Sequence, residues 1–394
     1  MHNVIIAGSG RGLCFAMLLA GVNFKDTCRV VAMVDIATEH HPRLRELLDQ
    51  AGLKDTDICT TLDEALAKYP KEVAEAVLVV TPNGTHAELT EKTLAAGRHL
   101  LLEKPIAANW EDARRILHAA QASQRTIQLG FVLRYSLFYQ KLKELSKSLG
   151  HIVLIQSNER LSFSHSSAYR RGWRRHTEAT GGMLNEKCSH DLDIIRWLKK
   201  GQAKPVSVYS IGGQDLFPEH PNTPLLCENC KDSKCVFRRD IEQLKKNIYS
   251  MNADIDIYRK CIYHTDADVM SNQSATILFD DGTQAIFTIV LYAGSDEQRD
   301  IRILGTEGQL IGDLKYGRLD LLRYRENTHE VFELPGGMHA GADALILKDF
   351  FRCIEEQCQP EATVEDGVLA SRLAFAANLS VREKRIVQLD EFPI

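Results

Sequence analysis

The chain has 394 residues, 44% of them hydrophobic and 26% charged, with a formal net charge of -5. This is ordinary globular composition, and the length implies two domains. The acidic balance gives no electrostatic basis for nucleic acid or an anionic membrane as partner, and no apolar run approaches the roughly 20 residues that cross a bilayer.

The opening residues, Met1-His-Asn-Val-Ile-Ile, carry no basic leader and pass straight into a glycine turn. They read as a strand rather than a signal peptide, so a cytoplasmic protein is expected. Its ten cysteines are then reduced thiols or metal ligands, not a disulfide framework.

Val4–Ala7 is a β-branched run that enters Gly8-Ser9-Gly10-Arg11-Gly12, and a helix is expected over Leu13–Leu19. Strand, glycine turn and helix are the parts of a pyrophosphate site, where glycines admit the phosphates and the helix N-terminus offers N–H donors. The third glycine stands at Gly12, one place earlier than the usual spacing puts it. A second strand, Arg29–Val34, ends at Asp35. A carboxylate there accepts from both ribose hydroxyls and repels a 2′-phosphate, which favours NAD over NADP.

Strands at Ala76–Val80, His99–Leu102 and Thr126–Phe131 alternate with helices at Thr85–Ala96 and Trp110–Ala122. This alternation predicts a doubly wound parallel sheet of α/β class over residues 1–130. Thr81-Pro82-Asn83, with His86 shortly after, and Glu103-Lys104-Pro105 follow strands and are expected to line the cofactor crevice.

Further on, Glu186 and His190 are four residues apart, a spacing that places both on one face of a helix over Asn185–Leu198. Lysine, carboxylate and histidine suit proton transfer beside a hydride acceptor. Arg134 and Tyr135, just past the first domain, are candidates to touch cofactor or substrate. Tyr169-Arg170-Arg171-Gly-Trp173-Arg174-Arg175-His176 is the most basic stretch, and Trp173 and Arg174 are candidates to stack on and hydrogen-bond a sugar ring.

Gly8-Ser-Gly10, Thr81-Pro-Asn-Gly-Thr-His86, Glu103-Lys104-Pro105, Gly181-Gly182…Glu186-Lys-Cys-Ser-His190-Asp191 and Arg299-Asp-Ile-Arg-Ile-Leu-Gly305 together resemble the Gfo/Idh/MocA oxidoreductase family over nearly the whole chain. The resemblance implies a Rossmann domain followed, over 131–394, by an α+β domain with an open-faced, mostly antiparallel sheet. That sheet would make a homodimer or homotetramer, and the His190 helix would face the nicotinamide. The expected strands there are Val153–Glu159, Val206–Ile211, Gln273–Asp280, Thr283–Val290 and Asp300–Leu304, with a hairpin turn at Asp280-Asp-Gly282.

The resemblance makes Lys104 and His190 the proton-handling pair, with Glu186 where the family often has aspartate. Glu186 would orient His190 or bind a substrate hydroxyl, and Asp191 or Asp193 is the other candidate to orient the ring. Lys187 reads equally as a ligand contact or a surface salt bridge. The activity implied is NAD-dependent oxidation of a secondary hydroxyl on a sugar, cyclitol or glycoside. Redox-neutral glycoside cleavage with retained NAD is the enzymatic alternative, and non-catalytic NAD binding the regulatory one.

Cys227-Glu-Asn-Cys230-Lys-Asp-Ser-Lys-Cys235, with Cys261 beyond an expected helix at Arg239–Tyr249, has the spacing of a tetrahedral thiolate set. The segment at about 216–264 reads as an insertion too small to bury its own core, which a structural zinc would staple. An iron–sulfur cluster and free thiols are the alternatives, with His264 as a substitute ligand.

Overall fold

The structure, a computed structural model, describes residues 1–218, 220, 222–242, 255–337, 339 and 341–394. The chain divides into two compact units. One holds Met1–Gly130 and Asp343–Val368, and the other holds Phe131–Arg239, Asp256–Ala342 and Leu369–Ile394.

The first unit runs β1 (His2–Ala7), α1 (Gly10–Ala20), β2 (Cys28–Val34), α2 (His41–Gln50), β3 (Asp57–Cys59), α3 (Leu62–Lys68), β4 (Ala76–Val79), α4 (His86–Ala95), β5 (His99–Leu102), α5 (Trp110–Gln121) and β6 (Ile127–Leu129). Among the described residues its sheet has six strands in the order β3-β2-β1-β4-β5-β6, with every neighbouring pair parallel. This is the doubly wound order whose strand sequence reverses between β1 and β4, so the loops after those strands flank the switch point where ligands bind. β4 is buried throughout, as a strand covered on both faces must be.

The second unit begins with α6 (Leu137–Ser146), β7 (Ile152–Arg160), α7 (Phe163–Arg171), α8 (Thr177–Thr180), α9 (Met183–Glu186) and α10 (Ser189–Leu198). It continues with β8 (Pro205–Gly213), β9 (Asn272–Phe279), β10 (Gln284–Val290), β11 (Gln298–Gly305), β12 (Gly308–Asp313), β13 (Arg318–Arg323), β14 (Thr328–Glu333) and, at its end, β15 (Val387–Gln388). Among the described residues its sheet has nine strands in the order β14-β13-β12-β11-β7-β10-β9-β8-β15. Only β7 and β10 run parallel. Alternate residues point to opposite faces: Ala275, Ile277 and Phe279 of β9 are buried, while Val206, Tyr209, Ile211 and Leu278 are exposed on β8 and β9.

Two helices complete the chain, α11 (Ala342–Glu356) and α12 (Val364–Glu383). Leu347, Phe350 and Phe351 of α11 join Val4, Ile6, Leu13, Phe15 and Leu101 in one core. Residues distant in sequence thus complete the first unit, which the sequence reading closed at residue 130. The single helix expected over Asn185–Leu198 is broken. Glu186 ends α9 and His190 lies in the first turn of α10, with Lys187 and Cys188 between them. Most of the helix expected at Arg239–Tyr249 lies outside the described residues. No helix among the described residues is long and apolar enough to cross a membrane.

Candidate active site

The glycine turn after β1 is built for close approach by a ligand. Gly8 has φ +103°, and a Cβ there would stand 2.7 Å from the Val80 carbonyl oxygen. Only glycine takes that backbone without strain. Gly10 opens α1, and a Cβ added to it would meet nothing within 4 Å, so this helix N-terminus has room beside it for a phosphate. Gly12 does something else. A Cβ there would meet Ile6 Cγ2 at 2.7 Å and Val80 Cγ2 at 2.9 Å. It lets α1 pack on the sheet, which is the third-glycine role, and its early position reflects packing rather than phosphate contact.

Asp35 closes β2. Its Oδ1 accepts from the Ala37 N–H at 2.9 Å and its Oδ2 from the Ser9 hydroxyl. Ser9 thereby ties the carboxylate to the glycine turn. Arg11 is anchored too: it pairs with Glu103 at 3.4 Å and with Asp343, and its guanidinium lies over the Phe15 ring. Burial lowers its pKa, but the two carboxylates outweigh that and hold it charged.

After β4, Thr81 and Pro82 stay accessible while Asn83 is buried. His86, expected to contact cofactor, is fully buried instead. Its Nδ1 lies 2.9 Å from the Pro105 carbonyl and its Nε2 2.9 Å from the Thr81 carbonyl. It clamps the two loops that border the crevice, and a side chain so enclosed has no face left for a ligand. Burial pulls its pKa down. Glu103 Oε2 accepts from the Lys104 N–H at 3.0 Å. Gly130 packs on Glu103 so closely that a Cβ would stand 2.9 Å from that oxygen. Lys104 is half-buried at the head of the loop after β5.

In the second unit Glu186 has both oxygens engaged. Oε1 accepts from Arg174 Nε at 2.6 Å and Oε2 from the Tyr169 hydroxyl. Arg174 also lies over the exposed Trp173 ring at 4.8 Å. The basic stretch therefore folds its arginine onto the catalytic candidate and leaves its tryptophan outward. Gly181 and Gly182, with φ of 77° and 88°, turn the chain into α9. Asn378 of α12 donates to the Gly181 carbonyl at 2.8 Å, and Ser371 donates to Asn185 Oδ1 at 2.8 Å. His190 is 7% exposed, with its ring edge-on to Phe131 at 6.0 Å and 6.4 Å from the His339 ring.

Beneath these residues lies a buried charge cluster. Lys187 is no surface ion: it pairs with Glu159 at 3.0 Å, Glu159 pairs with Arg299 at 2.5 Å, and Arg299 pairs with Asp191 at 2.9 Å. Burial raises the Asp191 carboxyl to about 7 against the pull of Arg299. Arg134, expected at the cofactor, is wholly buried. Its Nε and Nη2 fork onto the two oxygens of Asp193 at 2.7 and 2.5 Å, so its donors face the interior of this unit. Asp191 and Asp193, the candidates to orient His190, each answer an arginine. Tyr135 is buried in the turn Val132–Tyr135.

Glu159, Ser162, Glu297, Gln298, Arg299 and Lys315 line a cavity of about 370 Å³. That volume suits a small ligand. Glu297 also pairs with His165, whose ring lies 5.5 Å from Tyr169, so the cavity lining reaches Glu186 through two side chains. Tyr169, Glu159, Arg299 and Glu297 were not singled out as site residues from the sequence. Their partners lie up to 140 positions away, and nothing local marks the pairing.

The cysteine cluster gives no support to the expected structural zinc. Among the described residues no group of three or more His, Cys, Asp or Glu is placed to hold a metal ion. Cys227 Sγ accepts from Arg171 Nη2 at 3.4 Å, and Cys261 and Cys235 also lie within electrostatic reach of Arg171. Cys230 is half-buried at the end of a short turn. The Arg171 guanidinium faces these thiols, and the arrangement among the described residues does not support a structural zinc. Arg171 itself staples the insertion, donating to the carbonyls of Lys260 at 2.7 Å and Phe237 at 3.0 Å. The segment also has an apolar anchor: Phe237 is fully buried against Phe217, Phe163 and Tyr292.

Comparison with known proteins agrees with this geometry. Residues 2–131 match the family described as "Oxidoreductase family, NAD-binding Rossmann fold", and residues 143–389 match its C-terminal alpha/beta domain. The chain is 25% identical to a myo-inositol 2-dehydrogenase of Thermotoga maritima over 363 residues, covering 90% of each. It is 28% identical to an inositol 2-dehydrogenase of Gluconacetobacter diazotrophicus over 241 residues, 60% of this chain and 62% of that one. Its fold is shared with a levoglucosan dehydrogenase solved with NADH and levoglucosan, at a TM-score of 0.76 and 17% identity over 98% of this chain and 99% of that one. The chain is a member of the Gfo/Idh/MocA family of NAD-binding oxidoreductases.

Proposed function

We propose that the protein is an NAD-dependent dehydrogenase that oxidises a secondary hydroxyl of a sugar, cyclitol or glycoside. The observation that carries this reading is Glu186, a buried carboxylate gripped by Arg174 and Tyr169 four residues ahead of a nearly buried His190, in a chain whose glycine turn leaves a helix N-terminus open at Gly10. The glycine turn fits a pyrophosphate, and Asp35, tied to it by Ser9, fits the adenosine ribose of NAD better than that of NADP. NAD, when bound, supplies the hydride acceptor.

The remaining work falls to side chains. Oxidising an alcohol releases a hydroxyl proton, which needs a base within hydrogen-bond reach. Lys104 and His190 share that proton, one polarising the oxygen and the other receiving the hydrogen. Glu186 accepts a hydrogen bond from a neighbouring substrate hydroxyl, with Arg174 and Tyr169 holding its carboxyl group in place. Trp173 offers an exposed face to a sugar ring. The exposed apolar strip of β8 and β9, with Val206, Tyr209, Ile211 and Leu278, supports a homo-oligomer built through this sheet.

NADH formation across inositols, aldoses, uronic acids and glycosides tests the reading, with Lys104→Met in parallel. We expect NADH with one substrate class and a kcat/KM lower by about 10²–10⁴ in the variant. Bound NAD, no NADH from any substrate and cleaved glycoside would replace this reading with redox-neutral cleavage.

A further inference from the structure

Helix α11 ends in a left-handed turn. Gln357 has φ 51°, and the Cys358 N–H donates to the Cys353 carbonyl at 3.2 Å. This six-to-one closure sets the side chain just past the turn against the one a turn back in the helix, a contact commonly made by two hydrophobes. Here both are cysteines, with sulfurs 3.3 Å apart. Cys353 is buried and Cys358 half-buried. Arg352 spans the pair, donating to Cys358 Sγ at 3.1 Å and to Cys353 Sγ at 3.3 Å. Asp349 and Glu356 each pair with that guanidinium at 2.6 Å and stand 3.8 Å from Cys353 Sγ and 3.9 Å from Cys358 Sγ, respectively.

We propose that Cys353 and Cys358 are a modification site for hydroperoxides, closing to a reversible disulfide. Cys358 is the attacking thiol because it is the more accessible of the two, and Arg352 donates to its sulfur at 3.1 Å. Burial, followed by the hydrogen bond with Cys358 and the charge of Asp349, pushes the Cys353 thiol up to about 12, which keeps it protonated until its partner has reacted.

In the first step Cys358 sulfur attacks the peroxide. An S–O bond forms, the O–O bond breaks, and the departing oxygen takes the thiol proton as water or alcohol. In the second, Cys353 sulfur attacks the sulfenic sulfur. The S–S bond forms, the S–O bond breaks, and the departing hydroxide carries away the Cys353 proton as water. The two thiols lose two electrons and two protons in all, and a dithiol reductant reverses the reaction.

The turn has already placed both sulfurs, so bonding requires only that they close from contact to about 2.05 Å. The crosslink fastens the end of α11 to the segment whose Ala362 carbonyl accepts from the Leu129 N–H of β6 at 3.0 Å. Gly130, the next residue, is packed on Glu103.

The test is peptide mass analysis of the full-length reduced protein after one equivalent of hydrogen peroxide and alkylation. No lysine or arginine lies between Cys353 and Arg372, so trypsin releases both cysteines in one peptide. We expect that peptide to escape alkylation, to weigh two hydrogens less, to outnumber any other cysteine pairing by ~tenfold, and to revert with dithiothreitol. In Cys353→Ser, Cys358 stops at the sulfenic acid and is trapped by dimedone. Two alkylated thiols at this dose would overturn the proposal, and so would equal dimedone labelling of Cys358 in wild type and variant. The wild-type mass measurement decides the question even if the variant folds poorly.

Discussion

The two units hold their candidate residues with different materials. The first unit presents backbone. At Gly8 a side chain would run into the Val80 carbonyl, and at Gly10 the helix N-terminus is left open. The second unit presents charge: Glu186 with Arg174, Lys187 with Glu159, Arg299 with Asp191, and Arg134 with Asp193. A backbone site is specified locally, by a turn and the helix after it. A charge site is specified by pairs whose members the chain brings from far apart, and its positions are fixed only once both partners are buried.

The largest effect should come from breaking one of those pairs. Arg134 and Asp193 are 0% and 1% exposed, so removing Arg134 leaves the Asp193 carboxylate only the longer pairing with Arg196 at 3.8 Å, and neutralising Asp193 takes the carboxylate fork from a buried guanidinium. Arg134→Met or Asp193→Asn should cost about 3–5 kcal/mol, read as a lowered urea midpoint. Replacing both by apolar residues of similar volume should recover most of that loss. Equal losses in the single and double variants would show that shape, not charge, holds this region.

This difference in material explains what could be read from the sequence. In the first unit β1, α1, β2, β4, α4, β5 and α5 follow from alternating apolar runs and glycine stops, and Gly8, Gly10, Asp35 and Lys104 sit where those runs end, whereas α2, β3 and α3 were not assigned. Arg134 reads as accessible in the sequence because it is a charged residue at a domain junction. Only its fork onto Asp193, 59 positions on, reveals the buried role. The burial of His86 was hidden for the same reason, since its acceptors are carbonyls that no sequence pattern marks. The cysteine spacing suggested a metal, and Arg171, not recognised as their partner, now stands against those thiols. Strands β12, β13 and β14 carried charges and short apolar runs and were not assigned.

The backbone half can be broken with one methyl group. Gly8→Ala places a side chain at φ +103° and 2.7 Å from a backbone carbonyl oxygen. It should destabilise the protein by about 1–3 kcal/mol and weaken NADH binding, measured by fluorescence titration. Gly10→Ala has open space around its Cβ and should leave the melting temperature nearly unchanged while still crowding the phosphates. If Gly8→Ala bound NADH as tightly as wild type, the glycine turn would not be the pyrophosphate site.

Asp35 is where side-chain charge enters the backbone half. Asp35→Ala removes the acceptor for the ribose hydroxyls and the repulsion of a 2′-phosphate. NADH affinity should fall by about tenfold, or ~1.4 kcal/mol, with the gap to NADPH narrowing by a similar factor. An unchanged preference would assign cofactor choice elsewhere.

The smallest effect is expected from a charge pair that is not buried, and it separates burial from pairing as the cause. Asp266 accepts from Arg175 Nε at 2.7 Å, yet its side chain is 62% exposed. The Arg175 hydrogen bond holds the Asp266 carboxyl down at about 2. A depressed carboxyl stabilises the folded state above its unfolded pKa of about 3.9, and the contribution disappears as pH falls through 2. Water screens a pair this open, so Asp266→Asn should cost only about 0–1 kcal/mol at neutral pH. Its stability should also fall less steeply than that of wild type between pH 4 and 2. NMR titration of the Asp266 carboxyl, set beside urea midpoints over that range, checks both points. A loss as large as that of Asp193→Asn would mean that pairing alone, without burial, carries the stability of the second unit.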